Sequence, residues 1–91
     1  MVQLISYDLR KPGRDYAKLY DAIKSLDDGY WHRLESVWMV RTQLGSGAVR
    51  DFLKQHIDAN DQLLVIRVGM DWATTGLSSD CNDWLRRNVA A

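Results

Sequence analysis

The chain opens with a segment in which apolar groups fall on both sides. In an extended conformation Val2 and Leu4 point one way, and Ile5 and Tyr7 point the other. This pattern predicts a central strand that is covered on both faces. Asp8 stands where the strand ends, which allows two interpretations. Strand ends that lead into loops often carry sites, whereas an aspartate before a Pro-Gly turn commonly closes that turn.

A helical period follows the turn. Apolar residues spaced i, i+3, i+4, i+7 and i+10 predict an amphipathic helix that Asp15 caps and that ends by 27–29. The stripe consists of Tyr16, Leu19, Tyr20, Ile23 and Leu26. We interpret its two tyrosines as core residues rather than as a platform on which bases stack.

The segment 34–42 is rich in β-branched and aromatic residues, which favours a second extended region. It is either one strand or two halves separated by a bulge. Trp38 and Val40 fall on one of its faces, and Val37 and Met39 on the other.

A second helix is predicted from Ser46, its cap, to about Ile57, because the apolar residues return at helical spacing. The short apolar run 63–68 predicts a buried strand. An irregular stretch, 69–76, then precedes a terminal helix that starts at Ser78 or Ser79 and contains Cys81, Trp84 and Leu85. We expect Trp72 and Trp84 to anchor this tail to the body or to a second subunit.

The order of elements predicts an α+β fold, a ferredoxin-like βαββαβ sandwich. One domain would span 1–91, with a core of about 2–68 and a C-terminal tail, 69–91. Its two helices would cover one face of the sheet and leave the other open. Leu4, Trp38 or their neighbours would project from that open face, so we expect a homodimer.

Composition narrows the class of protein. The 91 residues carry twelve basic and twelve acidic side chains, so the net charge is zero and no generic attraction to nucleic acid or anionic membrane is indicated. No apolar run approaches the roughly 20 residues of a membrane span, and the start does not resemble a signal peptide, so we expect a cytoplasmic protein without a membrane partner. The single cysteine, Cys81, cannot form an internal disulfide or a cysteine-based zinc site.

Cations cluster beside Asp8, where Arg10, Lys11 and Arg14 lie close together. They are either phosphate contacts, since the arginine fork pairs well with phosphate, or a solvated loop. Farther on, Arg33 ends an aromatic and basic cluster, 30–33. His32 in that cluster is either a general base or, as is usual for a histidine without a nucleophile at a diagnostic spacing, a structural residue.

Three short motifs resemble a known family, the second CRISPR-associated adaptation protein. They are Leu-Ile-Ser-Tyr-Asp-Leu at 4–9, Arg-Leu-Glu-Ser-Val-Trp at 33–38 and Asp-Gln-Leu-Leu-Val-Ile at 61–66. The likeness is closer to the solitary SinR-like relatives, in which Ser-Tyr-Asp-Leu, Lys-Pro-Gly and Asp-Tyr recur as they do here at 6–9, 11–13 and 15–16. It extends over roughly 2–68.

The resemblance implies a ferredoxin-like homodimer. It also implies that Asp8 matches the aspartate linked to divalent-metal nuclease activity, which each subunit contributes across the dimer axis. Two hypotheses follow. One is a Mg²⁺-dependent RNA or DNA endonuclease with Asp8 as catalytic residue and metal ligand, Ser36 as a neighbour, and Arg10, Lys11, Arg14 and Arg33 as nucleic-acid contacts. The other is a dimeric module that binds a nucleic-acid or protein partner without catalysis, which zero net charge favours.

Overall fold

The computed structural model describes residues 1–10, 15–27 and 29–89 and shows an α+β fold. Within these residues the elements run β1 (Val2–Asp8), α1 (Ala17–Lys24), β2 (Trp31–Leu34), β3 (Val37–Arg41), α2 (Ser46–Leu53), β4 (Gln62–Arg67) and α3 (Ser79–Val89), with a 3₁₀ turn at Lys54–His56 after α2. The four strands form one sheet in the order β2-β3-β1-β4, and every neighbouring pair is antiparallel.

The central position predicted for β1 is confirmed. It pairs with β3 on one side, where Ile5 lies opposite Trp38, and with β4 on the other, where Ile5 lies opposite Val65. Alternation along the strand places Ile5 and Tyr7 under the first two helices and Val2 on the opposite face.

The main core lies between the sheet and helices α1 and α2. The stripe predicted for the first helix faces it: Leu19 and Ile23 are fully buried, and Tyr16 is nearly so. Asp15 supports the start of α1, because its Oδ1 accepts the Ala17 N–H at 2.9 Å. The interpretation as a core residue is therefore confirmed for Tyr16, whereas Tyr20 is only half-buried.

Ser46 does not cap α2. The capping position is Gly45, without a side-chain cap bond. The Ser46 hydroxyl instead donates to Oε1 of buried Gln3 at 2.7 Å, and Gln3 Nε2 donates to the Leu44 carbonyl at 3.3 Å. The hydroxyl satisfies a buried amide in β1, which outweighs the cap.

The segment 34–42 is neither one strand nor a bulged one. Its start completes β2, and Glu35 and Ser36 form a turn from which β3 leaves antiparallel. The irregularity of pairing lies inside β2, between Trp31 and Leu34. Neither turn residue is glycine, asparagine or proline, which hid the hairpin from the sequence pattern.

The second face of the sheet is only partly open. Helix α3 packs its buried Leu85 and Val89 against Val2, and Trp72 and Trp84 join this cluster. The Trp84 indole N–H donates to the Gly29 carbonyl, which ties α3 to the segment before β2. We had expected Trp38 to project from this face, but it lies on the other face of the sheet and is buried under α1.

Strand β4 is an edge strand rather than a buried one. Leu63 and Val65 pack against the main core, whereas Leu64 and Ile66 are 56% and 52% exposed. The apolar run therefore covers two different environments, one on each face. None of the helices in the described residues combines the length and hydropathy that a membrane span requires.

Asp27 connects the end of α1 to the end of β3. Its side chain is 4% exposed, and it accepts the Arg41 N–H at 2.6 Å and the Gly29 N–H at 3.0 Å. The Arg41 guanidinium adds an ion pair at 3.3 Å. This contact fixes the segment that carries Tyr30 into the site described below.

Candidate functional site: a groove at the end of the central strand

Asp8 lies at the end of β1, opposite Gln62 of β4, with its side chain 59% exposed. Its Oδ2 accepts two hydrogen bonds from Arg10, from Nε at 3.0 Å and from Nη2 at 2.8 Å. Arg10 Nη2 also donates to Gln62 Oε1 at 3.1 Å. Asp8 thus holds the guanidinium of Arg10 against the β1–β4 pair.

A second aspartate holds the backbone of the same loop. Asp61 accepts the Arg10 N–H at 2.7 Å, the Asp58 N–H at 2.7 Å and the Tyr16 hydroxyl at 2.8 Å. The start of the loop after β1 is therefore tied both to α1 and to the turn before β4. Lys11 and Arg14, interpreted either as phosphate contacts or as part of a solvated loop, lie outside the described residues.

The described residues of a single chain do not place Asp8 in a group of three metal ligands. Mg²⁺ prefers several oxygen ligands, but within the described residues no three His, Cys, Asp or Glu side chains are grouped to hold a metal. Asp8 Oδ2 also already accepts both hydrogen bonds from Arg10. A cation at this oxygen would have to displace the guanidinium.

Asp8 borders a pocket of about 450 Å³, together with Tyr7, Tyr20 and Ser36. The Ser36 carbonyl accepts the Tyr7 N–H at 3.3 Å, which brings the β2–β3 turn against the end of β1. Ser36 was expected to neighbour Asp8, and the structure places both at this pocket.

A second pocket, of about 360 Å³, shares Tyr7, Tyr20 and Glu35 with the first. The two pockets therefore adjoin, and we describe them together as one groove. Its other lining residues are Lys24, Tyr30, His32 and Trp38. Trp38 is 2% exposed and forms the floor. The centroid of the Tyr30 ring lies 5.3 Å from that of the Trp38 ring. The Tyr20 ring stacks on that of Trp38 only in the sense of near-parallel planes: the two centroids are 6.2 Å apart and the planes are inclined by 22°. We call this part of the groove the aromatic pocket.

Tyr7 joins the two parts of the groove. Its hydroxyl accepts the Trp38 indole N–H at 3.0 Å and donates to the Glu35 carbonyl at 3.4 Å. Burial raises the pKa of the Tyr7 phenol, and the nearby Tyr20 phenol and Glu35 carboxylate raise it further, against the opposing effect of the Trp38 donor. Tyr7 therefore remains a neutral hydrogen-bond donor at physiological pH.

His32 packs rather than faces a nucleophile. Its ring stacks on Trp38 with centroids 3.5 Å apart, and its Nε2 lies 3.2 Å from the Glu35 carbonyl, to which a protonated Nε2 donates. This geometry favours the structural interpretation of His32. The next residue, Arg33, is exposed on β2, which β3 separates from the strand that carries Asp8.

No family model matches the chain. Sequence reasoning placed Asp8, Arg10 and Ser36 in this region but missed Lys24 and Glu35. The sequence did contain an indication of Tyr20 as a site residue. It lies at the margin of the apolar stripe of α1, where a side chain can face both the core and the groove.

Proposed function

We propose that the protein is a small dimeric module with a ferredoxin-like fold, similar to the CRISPR-associated adaptation proteins, that binds a nucleic-acid or protein partner without catalysis. The order β4-β1-β3-β2, with all neighbours antiparallel and α1 and α2 on one face, supports the ferredoxin-like assignment. The motifs at 4–9, 33–38 and 61–66 support the likeness to that family.

The observation that carries the non-catalytic proposal is the occupation of Asp8. A carboxylate binds a metal through its oxygen lone pairs, and on one oxygen of Asp8, Oδ2, these already accept two hydrogen bonds from Arg10. Both side chains are more than half exposed, so the pair adds little stability. Its consequence is to orient Arg10, whose remaining guanidinium N–H groups can donate to a phosphate or carboxylate of a partner.

The exposed apolar residues of the sheet support the dimer. Leu64 and Ile66 are more than half exposed, and Ile66 lies opposite half-buried Leu4 in the β1–β4 register. A second copy that covers these side chains would remove apolar surface from water in both subunits at once.

One observation favours the second candidate, a Mg²⁺-dependent endonuclease. Asp8 is exposed and borders a pocket together with Ser36, so a phosphodiester could reach it if Arg10 moved aside. In that case Arg10→Ala would free Asp8 and increase cleavage, whereas in the binding module it would only weaken binding.

The deciding experiment incubates labelled single-stranded RNA and double-stranded DNA with the wild type, Asp8→Ala, Arg10→Ala and a control, Asp21→Ala, in which the carboxylate removed is exposed on α1. Each protein is assayed with Mg²⁺ and with chelator, after its fold and its dimer content have been matched. The binding module predicts no metal-dependent cleavage by any of them. Cleavage that requires Mg²⁺ and is lost only in Asp8→Ala would establish the endonuclease instead.

Binding is measured on the same substrates as a function of salt. A protein that contacts Z phosphates of a single strand loses affinity with a slope of about −0.7Z in a plot of log K against log salt concentration. Salt-dependent binding that Arg10→Ala weakens would identify a nucleic-acid partner. The absence of binding at every salt concentration would leave a protein partner.

A further inference from the structure

The aromatic pocket is built for a flat ligand. Tyr20, Tyr30 and Trp38 come from α1, from the segment before β2 and from β3. The centroids of the Tyr30 and Tyr20 rings lie 5.3 Å and 6.2 Å from that of Trp38. Trp38 is buried, but Tyr20 is only half-buried and Tyr30 is 37% exposed. Parts of two tyrosine rings are therefore open to a planar group that enters from solvent.

The charges of the pocket select the kind of planar ligand. Lys24 Nζ lies 6.0 Å from the centre of the Tyr30 ring. A ligand cation would meet this ammonium group as it approached the ring, whereas a phosphate would be attracted to it. Glu35 borders both pockets and can accept hydrogen bonds from ring N–H and amino groups.

A nucleotide carries both features, a flat base with N–H donors and a phosphate. We propose that the aromatic pocket binds one nucleotide of a single-stranded nucleic acid, with the base against Tyr30 and Tyr20, its donors toward Glu35 and its phosphate toward Lys24. The pocket volume of about 360 Å³ falls within the range of about 300–1,000 Å³ typical of small-ligand sites. This inference rests on the proposed binding function and names the partner as single-stranded nucleic acid.

The route of the strand follows from the shape of the groove. The aromatic pocket and the pocket at Asp8 share Tyr7, Tyr20 and Glu35, so a strand with one base in the aromatic pocket can continue along the groove. It would then pass the end of β1, where Asp8 holds the Arg10 guanidinium. Duplex DNA cannot present a base in this way unless the base leaves the stack, so a single strand is the better ligand.

The test measures fluorescence anisotropy of a labelled single-stranded RNA octamer with the wild type and four variants. Tyr30→Ala removes an exposed ring and should weaken binding about 5- to 150-fold, the loss typical of one base–aromatic stack. Tyr30→Phe keeps the ring and should bind within about twofold of the wild type. Circular dichroism and thermal unfolding verify that each variant is folded.

The two remaining variants test the charge. Lys24→Gln should weaken binding and reduce the salt slope by about 0.7, the contribution of one phosphate contact. Lys18→Gln removes an exposed lysine of the same helix that does not line the pocket, and should leave affinity and slope unchanged. Competition with adenosine and uridine monophosphates distinguishes a site for free nucleotides, which would displace the octamer, from one that needs the strand.

Two results would overturn the inference. If Tyr30→Ala binds the octamer as tightly as the wild type, while binding still depends on salt, the base does not occupy the aromatic pocket and the proposed binding function stands. If the folded wild-type protein binds no single strand at any salt concentration, the nucleotide site is refuted and the proposed function is left with a protein partner.

Discussion

The buried carboxylate of Asp27 offers a sharp test of what holds the groove in place. It accepts backbone N–H groups from Arg41 and Gly29, and so links the end of β3 to the segment that carries Tyr30. Asp27→Asn keeps the size of the side chain but replaces one acceptor oxygen with an amide N–H₂. One of the two backbone donors must then face another donor.

The expected loss follows from these contacts. A hydrogen bond to a charged group is worth about 1.5–3 kcal/mol, and the loss of charge weakens the second one as well. The ion pair adds at most about 1 kcal/mol, because the Arg41 side chain is 53% exposed. We expect Asp27→Asn to lower the free energy of unfolding by about 2–3 kcal/mol, and the Tm of a domain of this size by roughly 8–24 °C.

The effect should depend on pH in a defined direction. Burial of Asp27 pushes its pKa upward, but the hydrogen bonds from the Arg41 and Gly29 backbones, together with the Arg41 guanidinium, outweigh burial and leave the pKa below its ordinary value of 3.8. The folded state therefore binds this proton less readily than the unfolded state. The stabilisation is complete above the unfolded pKa and is lost as the pH falls through the folded one.

Thermal unfolding followed by circular dichroism, between about pH 7 and about pH 2.5, measures both effects. Asp21→Asn, which changes an exposed aspartate of α1, is the control and should unfold close to the wild type. The difference in Tm between wild type and Asp27→Asn should be large at neutral pH and should shrink in acid. Equal Tm values for Asp27→Asn and Asp21→Asn would refute the reasoning. A difference in Tm between wild type and Asp27→Asn that persists unchanged in acid would also refute it.

Three further predictions test other parts of the structure. The pKa of Tyr7 lies above 10.0, so the contribution of its phenol to stability is present below pH 10 and is lost as the pH rises further. Tyr7→Phe should therefore flatten the fall in Tm at alkaline pH, and an equally steep fall would contradict the raised pKa of Tyr7. Leu85→Ala in α3 should cost about 2–5 kcal/mol in denaturant unfolding, whereas exposed Leu44→Ala should cost far less, and similar losses would argue against docking of α3. The double variant Leu64→Lys/Ile66→Lys should convert the expected dimer to a monomer in light scattering, and an unchanged mass would exclude these residues from the interface.

Alternation and helical spacing predicted which side chains form the core. Ile5 and Leu19 are fully buried because each lies on a face that the local pattern already defines. These periodicities belong to single elements. They hold whatever the element packs against, so the faces of β1 and α1 could be predicted without the fold.

The order of strands could not be predicted from single elements. The run 63–68 is apolar on both faces, but β4 lies at the edge of the sheet, where only β1 pairs with it and Leu64 and Ile66 stay exposed. Trp38 was assigned to the correct alternation but to the wrong side of the sheet. Which face receives the helices depends on the whole topology, and so does the cover that α3 gives to the other face.

In the candidate site, too, a feature of one element could be predicted from the sequence, whereas contacts between elements could not. Asp8 was singled out because it ends a strand, and the structure places it at the end of a groove. Its pairing with Arg10 depends on side-chain geometry that the sequence does not contain. The aromatic pocket takes Tyr20, Tyr30 and Trp38 from three separate elements, so no single motif could reveal it.

The central position of β1 also affects how the chain folds during synthesis. The ribosome makes this strand before either of the strands with which it pairs, β3 and β4. At roughly 5–20 residues per second, Arg67 is added roughly 3–12 s after Asp8, whereas α1 can form within about a microsecond. For several seconds the nascent chain thus carries an apolar strand with unpaired edges, which a chaperone can bind and which can aggregate. Slower translation between 42 and 67 would lengthen this exposure without changing a single residue.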